Sequence, residues 1–186
     1  MATGGDDGLA AAQDLPAFLA AIEGRAYRMA WFATHDREDA LELVQEAMMG
    51  LVQNYATRSP EEWRPLFLTI LQSRIRDWHR RQSVRNRFRD WLSPFLGEDE
   101  EDAFARVAAD PSWEPERRLE DDQFSARLDA ALAALPLRQQ QAFLLRAWEG
   151  LDSAGTAAAM GCSLSSVKTH YARALARLRS ELEDLR

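Results

Sequence analysis

Apolar residues recur at spacings of three and four through most of the chain, the period of a helix with one buried side. Leu15, Phe18, Leu19, Ile22, Ala26, Met29 and Ala33 mark a first amphipathic helix, which the polar run THDRED ends. Asp36 followed three residues later by Asp39 forms a capping pair, so a second helix starts there and runs to about Tyr55. Its apolar face is Ala40, Leu41, Val44, Ala47, Met48, Leu51, Val52 and Tyr55. After the break NYATRSPEEWRP the pattern predicts a third helix from near Pro65, since proline suits a first turn. That helix carries Leu66, Ile70 and Ile75 inward and the arginines from Arg74 onward outward.

The second half repeats the grammar with shorter units. DDQFSARLDAALAAL places Phe124, Leu128, Ala131, Leu132 and Leu135 on one side, and Pro136 then opens PLRQQQAFLLRAWEG, which Gly150 closes. Asp152 caps a short alanine-rich run, and Gly161 is the residue able to take the left-handed conformation of a sharp helix exit. Ser163 caps the last helix, whose stripe is Leu164, Val167, Tyr171, Ala174 and Leu178. Helix, glycine turn, basic helix is helix-turn-helix grammar, although the same pattern also fits an arginine-rich face that is merely solvated. No segment alternates as a strand would. The predicted fold class is all-α, two small helical domains joined by an acidic flexible linker. The expected division is a disordered tail at 1–13, a bundle at 14–96, the linker at 97–122 and a helix-turn-helix domain at 123–186.

Charge sharpens this picture because it is distributed in blocks. The chain of 186 residues has a formal charge of -7 and 28% charged residues, yet two stretches are strongly basic. SRIRDWHRRQSVRNRFR holds seven arginines against Asp77, and MGCSLSSVKTHYARALARLR holds Lys168, Arg173, Arg177 and Arg179 with no acid. Small hydroxyl side chains followed by long cations suit a base-pair edge and its flanking phosphates. Between the blocks lies GEDEEDAFARVAADPSWEPERRLEDD, acidic and broken by Pro111 and Pro115.

Several chemistries are not expected. A single cysteine, Cys162, forms no internal disulfide, and the three scattered histidines make no metal site, so no metal and no cofactor is expected. The first residues have acids and glycines where a signal peptide needs basic residues and an apolar core, and no later apolar run would insert in a membrane. A cytoplasmic protein follows. The acids sit in the linker and on one helix face rather than in a catalytic constellation, so no enzyme and no catalytic residue is expected.

Four segments resemble the bacterial extracytoplasmic-function (ECF) sigma factors, the two-domain members of the sigma-70 class. They are DREDALELVQEAM, ILQSRIRDWHRR, LAALPLRQQQAFLLRAWEGL and SLSSVKTHYARALARL, and their order and spacing match as well. Glu42 stands where this family usually has Asp and Ser73 where it often has Asn, while His170 and Leu175 occupy positions where Arg is common.

The resemblance implies a factor that binds the RNA polymerase core, directs it to promoters and helps open the duplex, the chemistry belonging to the polymerase. It implies that Asp39, Glu42, Leu43, Gln45 and Glu46 dock on the clamp helices of the largest core subunit, alongside contacts with other core subunits. For the -10 element it implies Arg74, Arg80 and Arg81 on phosphates and Ser73, Arg76 and Asp77 nearest base edges. The loop Asn54 to Trp63 would hold a flipped base with Asn54, Tyr55, Arg58, Ser59 and Trp63, although Tyr55 and Trp63 serve equally well as core packing. For the -35 element it implies Ser165, Ser166, Lys168, Thr169 and Arg173 in the major groove and Arg177 on the backbone. Promoter DNA, core polymerase and an anti-sigma factor are the expected partners. The rival readings are a helix-turn-helix regulator that works without core, and a sigma mimic that sequesters an anti-sigma factor.

Overall fold

The first helix begins where Asp14 accepts a hydrogen bond from the Ala17 amide at 2.8 Å, and every later helix boundary has a comparable local cause. The computed structural model describes residues 14–92 and 122–182, and among these it contains helices and turns only. Helix α1 is Leu15–Thr34, α2 Arg37–Tyr55, α3 Pro60–Leu92, α4 Asp122–Ala133, α5 Leu137–Phe143, α6 Ser153–Met160 and α7 Leu164–Leu182. The expected tail at 1–13 and all but the last residue of the expected linker, with Trp113, lie outside the described residues.

Helices α1, α2 and α3 form the first body. Phe18, Ile22, Met29 and Phe32 of α1 meet Leu43, Val44, Ala47 and Leu51 of α2 and Phe67, Leu68, Leu71 and Ile75 of α3, all buried. Burial of such side chains stabilises by about 1.5–3 kcal/mol each, which fixes the three helices as one unit. The α2 and α3 axes approach closely at Gly50, where a Cβ would lie 3.3 Å from Ile70 Cγ2, tight enough that only glycine fits without a shift. Between α1 and α2, His35 closes α1 with a left-handed φ of 54° while its amide donates to Trp31 O at 2.8 Å.

Three boundaries differ from the pattern reading. Helix α3 starts at Pro60 rather than near Pro65, because Ser59 and Glu62 cap it. The Ser59 amide and hydroxyl both donate to Glu62 Oε2 at 3.2 Å, and the Glu62 amide returns a bond to Ser59 O. Pro65 therefore lies inside the helix, where its missing N–H forgoes one backbone bond. As a result the expected loop Asn54 to Trp63 is mostly helical, and only Ala56 to Ser59 connects α2 to α3. Finally, Leu41 and Val52 of α2 and Leu164 of α7, assigned to inward stripes by spacing, are exposed at the margins of those stripes.

The second body wraps α4, α5 and α7 around α6. Leu132 and Leu135 pack with Ala142, Leu144, Leu145, Val167, Ala174 and Leu178. Beyond α5 the chain makes a π-helical turn over Leu144–Trp148, with the Glu149 amide donating to Leu144 O at 2.8 Å and Gly150 at φ 66°. That widened turn is invisible to a 3.6-residue periodicity.

The two bodies also pack on each other, which the reading of two separately cored domains did not anticipate. Gln140 of α5 donates to Phe32 O at 2.8 Å, and the buried Gln141 donates to Gln72 Oε1 at 2.8 Å.

Candidate nucleic-acid and polymerase interfaces

Three polar surfaces emerge. The first lies where α2 meets α3, a groove lined by Asp39, Glu42 and Glu46 on one side and Trp78, Arg81, Gln82 and Arg85 on the other. Asp36 holds the start of α2, accepting from the Asp39 amide at 2.9 Å. Glu42 and Gln45 are exposed and Asp39 and Glu46 half-buried, whereas Leu43 is buried in the core beneath them. Leu43 is thus a support for this face rather than part of its surface. Arg74 reaches across from α3 to Glu46 at 3.5 Å, so the acidic face and the basic helix are already electrostatically joined.

The second surface is the outer side of α3. Arg80 and Arg81 are exposed, Arg80 pairing with Asp77 at 3.1 Å, and Ser73 and Asp77 are half-buried. Exposed pairs of this kind contribute little stability and leave their cations available to phosphates. Next to it, Asn54 Nδ2 donates to Gly50 O at 2.8 Å and Arg58 pairs with Glu62 at 3.4 Å, both at the exposed α2–α3 turn, with Tyr55 half-buried. Trp63 is different. It is 5% exposed, with its ring 5.9 Å from that of Phe18, so of the two roles left open for it the structure favours core packing.

Arg76 stands apart from its neighbours on α3. Its Nη1 donates to Ala159 O at 3.0 Å, on the second body, and burial together with nearby Arg138 pulls its guanidinium below the usual arginine range. The partner geometry explains the contact. Gly161, at φ 60°, ends α6 with the Gly161 amide donating to Ala158 O and the Cys162 amide to Ala157 O. The carbonyls of Ala159 and Met160 are satisfied by two arginines instead, Arg76 on the first and Arg138 Nη1 on the second at 2.7 Å.

The third surface is α7, docked by its buried Val167, Ala174 and Leu178, so that Ser165, Lys168, Thr169, Arg173 and Arg177 are exposed and Ser166 half-exposed. Its entry is ordered by hydroxyls. Ser163 Oγ accepts from the Ser166 amide at 3.2 Å and lies 2.9 Å from Ser165 Oγ and 2.8 Å from Ser166 Oγ, while Thr169 Oγ1 donates to Ser165 O at 3.0 Å. The serines are therefore engaged in the turn, and Lys168, Arg173 and Arg177 carry the free charge. Tyr171 stacks on Phe143 at 6.4 Å with Arg146 over its other face at 5.6 Å, fixing the helix from the side. The His170 imidazole, affected first by burial and then by Arg138 and Arg173, is held below its ordinary range and so leans neutral.

The residues that spacing did not find are those between the bodies: Arg25, Arg28, Arg64, Gln72, Gln140, Gln141 and Glu149. A buried glutamate and two buried glutamines on apolar helices were the available signal, but nothing in the sequence says which arginines they meet. Among the described residues no group of histidine, cysteine or acidic side chains could hold a metal ion, and no helix is long and apolar enough to cross a membrane.

A helix-turn-helix body with an exposed cationic helix, joined to a three-helix body with an acidic groove, defines a class of transcription protein, and sequence comparison identifies its family. The Sigma-70 region 2 family matches residues 17–92 and the Sigma-70 region 4 family matches residues 125–178. The RNA polymerase sigma-E factor of Streptomyces avermitilis is 33% identical over 149 residues, which cover 80% of this chain and 73% of the relative. That of Streptomyces antibioticus is 44% identical over 73 residues, 37% of this chain and 41% of the relative. The chain spans about two fifths of the length of the first curated relatives it matches. Among solved structures, a sigma factor from Bartonella quintana, crystallised with its anti-sigma factor, aligns with a TM-score of 0.61 at 22% identity, covering 89% of this chain and 94% of that one, a likeness of fold. The chain belongs to the sigma-70 family of RNA polymerase sigma factors, in its ECF branch.

Proposed function

We propose that this chain binds the RNA polymerase core and directs it to promoters through two separate DNA contacts, one from each body. The observation that carries the reading is the exposed row Lys168, Thr169, Arg173 and Arg177 on a helix whose opposite side is fully packed. Such a helix enters a major groove without unfolding anything, its long cations reaching base edges and phosphates. In this reading α7 takes the -35 element, with Arg173 at a base edge, Arg177 on the backbone and the capping serines 165 and 166 at the groove's rim.

The -10 element falls to α3. Arg74, Arg80 and Arg81 neutralise phosphates, Ser73, Arg76 and Asp77 approach bases, and Asn54, Tyr55, Arg58 and Ser59 at the α2–α3 turn receive an unstacked base as the duplex opens. Trp63 supports that turn from the core. The groove of Asp39, Glu42 and Glu46, with Gln45 beside it and Leu43 beneath, takes the core polymerase's clamp helices through charge and hydrogen bonds. An anti-sigma factor is a further partner, proposed from the Bartonella neighbour, which was solved with one.

Transcription in vitro tests the reading. Purified chain added to core polymerase yields transcripts whose mapped starts share upstream elements; core alone does not. Start sites that are the same with and without the chain would refute it.

A further inference from the structure

We propose that the free protein is held in a closed, -10-incompetent state by a latch between its two bodies, centred on Glu149, and that promoter engagement requires this latch to open. The inference rests on the assignment of α3 to the -10 element and α7 to the -35 element.

The latch is built from groups that each body leaves incomplete alone. The Glu149 side chain is 1% exposed, and its carboxylate is held by Arg25 Nε at 2.9 Å and Arg64 Nη2 at 3.1 Å, arginines of α1 and α3. The same two arginines reach the backbone beside it, Arg25 Nη2 to Trp148 O at 2.7 Å and Arg64 Nη2 to Glu149 O at 2.8 Å. Arg28 adds an ion pair to Asp129 at 3.1 Å and lies over the Trp148 ring at 4.7 Å. Deeper in, Gln141 meets Gln72, and Gln140 meets Phe32 O. The joint is thus made of charged and amide groups that water can solvate once the bodies part. It differs from the aliphatic cores on either side, which must stay closed. Joints of that polar kind come apart more readily than apolar ones.

Closure excludes DNA from one site and not from the others. Arg76 donates to Ala159 O, and a Cβ on Gly161 would lie 3.7 Å from an Arg76 guanidinium nitrogen, so the helix-turn-helix turn covers the Arg76 position. Promoter elements centred at -10 and -35 are about 25 base pairs apart, roughly 85 Å of duplex at 3.4 Å per pair. One rigid molecule with Arg76 against the turn that precedes α7 cannot occupy both elements. The acidic groove at Asp39 and Glu42, by contrast, remains open in this state, as does the outer face of α7. Core polymerase can therefore dock on the closed protein, and opening follows docking.

The experiment links the bodies chemically. In the full chain with Cys162→Ser, Gln72→Cys and Gln141→Cys provide two thiols across the joint, joined by a short bis-methanethiosulfonate reagent that dithiothreitol cleaves. Neither glutamine belongs to an assigned binding surface. The linked protein is expected to be captured by core polymerase as well as the reduced protein is, while promoter-specific transcription falls at least about tenfold and returns on reduction, as for a population locked in the inactive state. Equal transcription from linked and reduced protein overturns the latch. Absence of transcription from the unmodified chain with core overturns the functional reading instead, and with it the latch.

A second variant guards against a misfolded double mutant. Arg25→Gln with Arg64→Gln strips Glu149 of both cations, which favours the open form. With helicity unchanged by circular dichroism, the radius of gyration from solution scattering is expected to rise above that of the wild type, and binding of the free chain to a promoter duplex to strengthen at least about tenfold. A wild-type chain already as extended as the variant, with equal DNA affinity, overturns the proposal.

Discussion

At the scale of single residues, exposure and engagement separate side chains that look alike in sequence. Ser165 and Arg173 share the outer face of α7, but the serine is bonded within the turn while the arginine reaches solvent. Arg173→Ala is therefore expected to lose roughly 1–3 kcal/mol of promoter discrimination, confined to the -35 element. Transcription from promoters with intact and scrambled -35 elements measures it, and an equal response to both, in wild type and variant, contradicts it. His79 gives a second residue-scale expectation. Burial, first, and then neighbouring His35 hold its imidazole below the ordinary 6.5, against a backbone hydrogen bond from Ala33. The folded state thus prefers neutral His79, and the unfolded chain binds more protons in mildly acid solution. Stability is full above about pH 6.5 and declines as pH falls from there toward the lowered folded value. Urea midpoints at pH 7.5 and 5.5 are expected to differ less in His79→Gln than in wild type.

Among elements, capping and turn geometry decide where helices stop, and they are the places where single substitutions act. Gly161 and His35 both end helices with a positive φ, 60° and 54°. Glycine tolerates this conformation, and a side chain branched at Cβ does not. His35→Val is expected to destabilise by about 1–2 kcal/mol relative to His35→Gly, read from thermal or urea unfolding, and indistinguishable variants would mean that the turn relaxes. Ser59 and Glu62 show the reverse relation between local signal and outcome. Their reciprocal bonds start α3 five residues before the proline that periodicity selects. A capping pair outweighs a favourable proline position because it satisfies donors that would otherwise be left orphaned.

The whole molecule combines an acidic docking groove, two cationic helices and a polar joint between the bodies. A chain with formal charge -7 has no global attraction for DNA, so its affinity depends on local patches. The free protein is expected to bind promoter duplex weakly and with little sequence preference, and to gain specificity with core polymerase. Fluorescence anisotropy of labelled duplexes with and without core checks this. Tight, specific binding by the free chain would instead favour a regulator acting without polymerase.

The all-α class, the capped start of α2, the glycine turn at 161 and the cationic outer face of α7 were all legible in the sequence, because each is set by contacts within four residues along the chain. So was the family, since its motifs are local strings. Trp63 was not resolved by pattern: an aromatic beside a turn satisfies a base and a core equally well, and only the approach of Phe18 from another helix decides between them. The joint between the bodies was not legible either. Glu149 finds Arg25 and Arg64 across 124 and 85 residues, and Gln141 finds Gln72 across 69. Periodicity reports which side of a helix is apolar and carries no information about which distant helix supplies the partner of a buried polar group. That choice is made by tertiary packing, where an unpaired buried charge costs more than any local preference can return.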